Sequence, residues 1–258
     1  MRGRVLAALF GLAAVLHAAP AFAQTAAERA ELDRVERIGR DLYEHDRAAW
    51  LATDEARLEI PQEDVANLRG WVTLREGDAV VVDFIAQRGD ELWSVHRSTF
   101  RGGALTDHAT ISAPLDEMRR RLFEARNVAL AAPAAICEQP YNVAVLPHDG
   151  AGEADADVYL MPATTVLGNV RVGGFVKHAV DIDAQRVVES QTFSRSCLAL
   201  QQEQGVAMLF FTHITSPLPT ETHVFLNLSH GVPLAVGAET GVWEVRNGHV
   251  TLLERRGP

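Results

Sequence analysis

THITSPLPTETHVFLNLSHG, residues 212–231, sets three histidines and a glutamate in an otherwise apolar stretch. The reading of the C-terminal half turns on how its side chains alternate. SPLPT between two apolar runs has the composition of a hairpin loop. If the second run is a strand, Thr222, Val224, Leu226 and Leu228 face one way and Glu221, His223, Phe225, Asn227 and Ser229 the other. On the first run Met208, Phe210, Thr212 and Ile214 alternate with Ala207, Leu209, Phe211 and His213. Pairing His213 opposite His223 brings the more apolar faces together and leaves both histidines near Glu221 on the other face.

Two readings follow from that register. In the chemical one, His213, Glu221 and His223, joined by His178 from the strand-like FVKHAVDI, form a zinc site whose open position activates water. The spacing matches no H-E-x-x-H signature. In the structural one, His213 and His223 are cross-strand neighbours at a sheet end, their rings covering apolar surface while meeting solvent. The structural reading is the expectation. His230, beside Gly231, is expected in a turn outside the cluster.

The surrounding sequence is dense in strand signals: YNVAVLP, DVYLMPA, FVKHAVDI, RVVESQTF, VAMLFFTHI, PLAVG, GVWEV and HVTLLE. DIDAQ and Asn247-Gly248 have hairpin chemistry. These runs lie too close together to leave room for crossover helices, so a mainly antiparallel arrangement is expected over residues 137–258.

The preceding part, residues 24–136, reads differently. Residues 25–47 place Leu32, Val35, Ile38 and Leu42 at spacings of three and four, an amphipathic helix that AAWLATDEARLEIP extends or follows until Pro61. WVTLR, AVVVDFIAQ and DELWSVHRSTF then alternate with turn-prone EGD and RGD as a short meander. A second major helix is expected after ISAP, with Ser112 as N-cap and Leu115, Met118, Leu122, Ala125 and Ala129 as its buried stripe. Arg119, Arg120 and Arg121 then fall on a solvated face. The fold class is α+β, with residues 24–136 and 137–258 either two units or one continuous domain.

Residues 43–54, YEHDRAAWLATD, form another polar constellation. On a continuous helix Asp46 shares a face with Trp50, and Trp50 with Asp54, while His45 points about 100° from Asp46. That divergence argues against a His45/Asp46 acid–base pair. A helix end with Trp50 packed on the sheet is the expectation.

The N-terminus has the form of a bacterial secretory signal peptide over residues 1–23: Arg2 and Arg4, an Ala/Leu/Val run, and Ala21-Phe22-Ala23 before Gln24. Removing it takes two arginines and no acids from the 24 basic and 34 acidic side chains, leaving a formal charge of −12. Nucleic acid and anionic membrane are therefore disfavoured as partners. After cleavage no segment is long and apolar enough to insert in a membrane. The two cysteines, Cys137 and Cys197, are expected to pair in an oxidising compartment. There is no G-x-S-x-G, G-x-G-x-x-G or P-loop. The expectation is a periplasmic or secreted, non-enzymatic binding or accessory factor for a small molecule or a protein. The alternative is a metal-dependent hydrolase, with zinc the candidate metal, using a His/Glu site on the strand pair of residues 206–229.

Overall fold

A computed structural model describes residues 24–132, 137, 140–148, 152–164, 166, 168–203 and 205–256. The expected signal peptide lies outside the described residues.

The spine is α1, Ala26–Glu59, which continues through AAWLATDEARLE without interruption. Its start is fixed by a reciprocal cap: Thr25 Oγ1 accepts from the Glu28 amide, and Glu28 accepts from the Thr25 amide. Its 34 residues span about 51 Å at 1.5 Å per residue. The N-terminal half buries Leu32, Val35 and Leu42, the C-terminal half Ala48, Ala52 and Ala56. The bulky stripe and the alanine stripe serve different neighbours.

The alanine stripe lies against the first sheet. After the short α2, Gln62–Val65, come β1 (Leu68–Glu76), β2 (Ala79–Arg88), β3 (Glu91–Arg101) and β4 (Ala104–Pro114), an antiparallel meander in the order β1-β2-β3-β4. Ala48, Ala52 and Ala56 pack on Val80, Val82, Phe84, Val95 and Phe100. β4 is mostly exposed and so lacks the alternating apolar residues that mark a strand in sequence. Its presence moves the next helix boundary: α3, Glu117–Ala131, is capped by Asp116, which accepts from the Arg119 amide at 2.8 Å, not by Ser112. Leu122, Ala125 and Ala129 are buried as expected, whereas Met118 is exposed and Arg119 is buried.

The second sheet has the order β5 (Tyr141–Pro147), β6 (Ala156–Pro162), β8 (Val176–Asp181) and β9 (Arg186–Thr192), all antiparallel. α3 covers it, Leu122 and Phe123 meeting Val143, Val158, Leu160 and Val176; Val72 and Ile85 of the first sheet join the same cluster. Two short strands, β7 (Asn169–Arg171) and β10 (Ala199–Gln201), pair alongside. A disulfide joins Cys137 to Cys197, and Gly174 passes so close that a Cβ there would lie 2.2 Å from Cys137 Sγ.

The third sheet contains β11 (Leu209–Thr212), β12 (Leu234–Ala238), β13 (Gly241–Arg246) and β14 (His249–Arg255). Asn247-Gly248 makes the β13–β14 turn with both residues at positive φ. Here the opening stretch departs from its expected form. Residues after SPLPT are not the second strand of a hairpin but α4, Glu221–His230, and β11 pairs parallel to β12 across that helix. Among the described strands the antiparallel pattern therefore has one exception, and there is room for a crossover helix. α4 is buried continuously from Glu221 to Asn227, so its apolar residues surround it and leave no diagnostic period. Its ends are encoded locally: Thr220 is the N-cap, and Gly231 closes the C-terminus in the left-handed region at φ 63°.

α1 crosses α4 at Gly39, where a Cβ would lie 2.5 Å from Val224 Cβ and 2.7 Å from the Glu221 carbonyl oxygen. The bulky stripe of α1 then shares a core with Phe225, Leu226, Trp243 and Val250. Glu36 accepts from the Val250 amide at 2.9 Å, and Glu28 pairs with Arg255 at 2.6 Å. β14 is thereby fastened to the beginning of α1.

Candidate functional site

Midway along α1 the helix leaves the third sheet and has not yet been fully covered by the first. Asp46, Arg47 and Trp50 there border a cleft of about 730 Å³. Met161 and Pro162 of β6, Phe175, and Phe225 of α4 supply apolar walls; Arg171 and His230 add polar groups from β7 and the end of α4. A smaller cleft of about 270 Å³ shares Asp46, Trp50 and Asn142 and extends to Asp54 and Arg57. Trp50 is 55% exposed, with the Arg47 guanidinium carbon 4.4 Å from its ring centre. It is thus not packed on the sheet as expected.

Asp46 Oδ1 accepts a hydrogen bond of 2.8 Å from Asn142 Nδ2. Burial pushes its pKa up to about 6, the Asn142 bond only partly opposing the shift. Arg171 Nε is buried without a hydrogen-bond partner among the described residues, and Arg47 has no carboxylate partner there. A largely apolar cleft with a few convergent polar groups and a perturbed carboxyl is the usual form of a small-molecule site.

Three of the four residues in the 43–54 constellation therefore come together, Asp46 and Trp50 in both clefts and Asp54 in the smaller. His45 points elsewhere. Its Nδ1 lies 2.7 Å from Thr73 Oγ1, and burial, with Arg75 nearby, pushes its pKa down to about 3. It borders a separate cleft of about 760 Å³ with Arg37, Arg75 and Asp157. Asn142, Arg171 and His230 escaped the sequence reading because each arrives from a different element, with no spacing to betray it.

The proposed zinc ligands are dispersed, because the helix replaces the strand register that had gathered them. His213 and His223 do meet, ring centres 4.6 Å apart and edge to face. Glu221 instead accepts from the Tyr159 hydroxyl at 2.9 Å and faces Arg34 at 3.9 Å. His178 Nδ1 lies 2.8 Å from Ser190 Oγ. His223 Nδ1 accepts the Thr220 amide at 2.8 Å, which fixes the proton on Nε2 and removes that lone pair from metal binding. Burial lowers the pKa of both His213, to about 4, and His223.

No family model, curated protein or solved structure matches this chain. The physical properties of the cleft are therefore the guide to its use.

One of those properties is a stability cost. An ordinary aspartate titrates near 3.8, whereas Asp46 keeps its proton to about 6. The folded protein binds the extra proton between those values, so the contribution of this group is fully present below the lower value and is lost as pH rises through the upper one. Asp46→Asn should accordingly be more stable than the native chain at about pH 7.5 and show a flatter stability profile between about pH 4 and 6. Urea denaturation across that range measures both; an unchanged slope would assign the titration to another group.

Proposed function

We propose that the protein is a non-enzymatic binding factor exported to the bacterial periplasm or beyond, and that the cleft between α1, β6 and α4 holds an anionic amphiphile, an organic molecule with an apolar body and a carboxylate or sulfonate head. The observation that carries this reading is the cleft itself: aromatic walls, an exposed Trp50, and two guanidinium groups, Arg47 and Arg171, that have no carboxylate partner among the described residues. Export is supported by the form of residues 1–23, and the disulfide agrees with an oxidising compartment. No described helix is long and apolar enough to cross a membrane.

The apolar body would stack on Trp50 and Phe225 while the head meets Arg171. Asp46 makes binding pH-dependent: its neutral form donates a hydrogen bond, and its ionised form repels the head. Affinity should therefore fall as pH rises through about 6.

Anilinonaphthalene sulfonate is a suitable fluorescent probe. Saturable one-site binding is expected, weakened about tenfold by Trp50→Ala and by Arg171→Ala. Asp46→Asn should bind with little pH dependence. Equal affinity in the native chain and both weakened variants would remove the cleft as the site.

A further inference from the structure

A second polar cluster lies at the far end of α1 and shares no residue with the cleft. Glu59 is the final residue of α1. Its Oε2 lies 2.9 Å from His96 Nε2 on β3, and its Oε1 lies 3.2 Å from His108 Nδ1 on β4. Thr110 Oγ1 donates to the Glu59 carbonyl oxygen at 3.0 Å and holds the helix end over the strands. Among the described residues this is the one group of three histidine, cysteine or acidic side chains whose donor atoms all lie within 4.8 Å of one another.

We propose that Glu59, His96 and His108 bind a divalent first-row transition metal ion, zinc being the fitting case. Bonds of about 2.0–2.2 Å to nitrogen and oxygen place tetrahedral donors roughly 3.3 Å apart. The two imidazole nitrogens lie 2.9 and 3.2 Å from different oxygens of the Glu59 carboxylate, and one ligand atom from each residue lies within 4.8 Å of the others, so small side-chain rotations bring the three to that spacing. The donors sit on one helix and two hydrogen-bonded strands, so the backbone fixes them in advance. Two imidazoles and one carboxylate are a borderline set that suits zinc. Glu59 and His108 are partly exposed, so water can reach the ion and complete its coordination.

His96 is completely buried, edge-on to Phe84 and stacked on His108, and among the described residues only its Nε2, aimed at Glu59, has a hydrogen-bond partner. Binding an ion at Nε2 places the imidazole proton on Nδ1 and replaces the Nε2–Glu59 hydrogen bond by a bond from each group to the metal.

The test uses the full exported chain, stripped with chelator, equilibrated with zinc and cleared of excess. About one equivalent should remain, with less than about a tenth in Glu59→Gln and in His108→Ala. His213→Ala should retain the native content. Native content below a tenth of an equivalent, or native-like content in both Glu59→Gln and His108→Ala, overturns the proposal. So does loss confined to His213→Ala. Cobalt(II) loaded into the native chain gives a readout that needs no variant: intense visible ligand-field bands are expected of a four-coordinate site, and a weak, aquo-like spectrum rejects it.

Discussion

Arg119→Met should lower the unfolding free energy by about 3 kcal/mol, toward the lower end of the range for breaking a buried ion pair. The Arg119 side chain is 9% exposed and divides its guanidinium among three carboxylates, Asp83 and Glu76 at 2.5 Å and Asp116 at 2.6 Å. Glu76 and Asp116 are half-exposed and can return to water. Asp83, completely buried, cannot. It retains Ser94 and the more exposed Arg97, which is why the loss stays below the full range. Urea denaturation at neutral pH measures the difference. Asp83→Asn combined with Arg119→Met should recover part of it, because the stranded charge is then gone. Arg120→Met provides the contrast: its partners Glu117 and Glu124 are on the surface, and the change should be within about 0.5 kcal/mol of zero.

Removing the disulfide should cost about as much or more. Cys137 and Cys197 are 60 residues apart, and closing a loop of that length restricts the unfolded chain by about 4 kcal/mol in the chain-entropy description. For a chain of this size the midpoint of thermal unfolding should fall by roughly 10–15 °C. The bond joins the approach to β5 with the segment leading into β10, so its loss should loosen the edge of the second sheet before the α1–α4 core. Thermal unfolding of the oxidised protein, the reduced protein and the double Cys→Ser variant checks this. Equal midpoints for the three would show that the surrounding packing already confines those segments.

The outcome at these positions shows which signals a sequence carries. The α+β class, the long first helix, the meander and the Asn247-Gly248 hairpin are legible because each is written in local period or turn chemistry. α4 is hidden in the sequence because a short helix buried all round loses its period, and its valine, threonine and phenylalanine content favours extended backbone. Thr220 and Gly231 are the available correction, a start and a stop signal with ten helical residues between them. In sequence the three consecutive arginines have the pattern of one solvated face, but the tertiary fold gives them different partners: Arg119 is buried on Asp83, while Arg121 reaches Asp155 and Asp183.

The sites were legible only in part. Asp46, Trp50 and Asp54 share a helix face, so their association could be read from spacing. Arg171, His230 and Asn142 meet them only through packing. Glu59, His96 and His108 likewise come from a helix and two strands, one of which, β4, has no alternating pattern to announce it.

The fastening of α1 to β14 has a consequence for how the chain reaches its native state. Glu28 and Arg255 are separated by 227 positions, so the beginning of α1 meets β14 only after nearly everything between has been synthesised, although its C-terminal half can already pack on the first sheet. Non-local closure of this kind slows folding. Until then the contacts of Leu32, Val35 and Leu42 with the last sheet are unmade, so the N-terminal half of α1 should be among the last parts of the chain to become protected from hydrogen exchange during refolding.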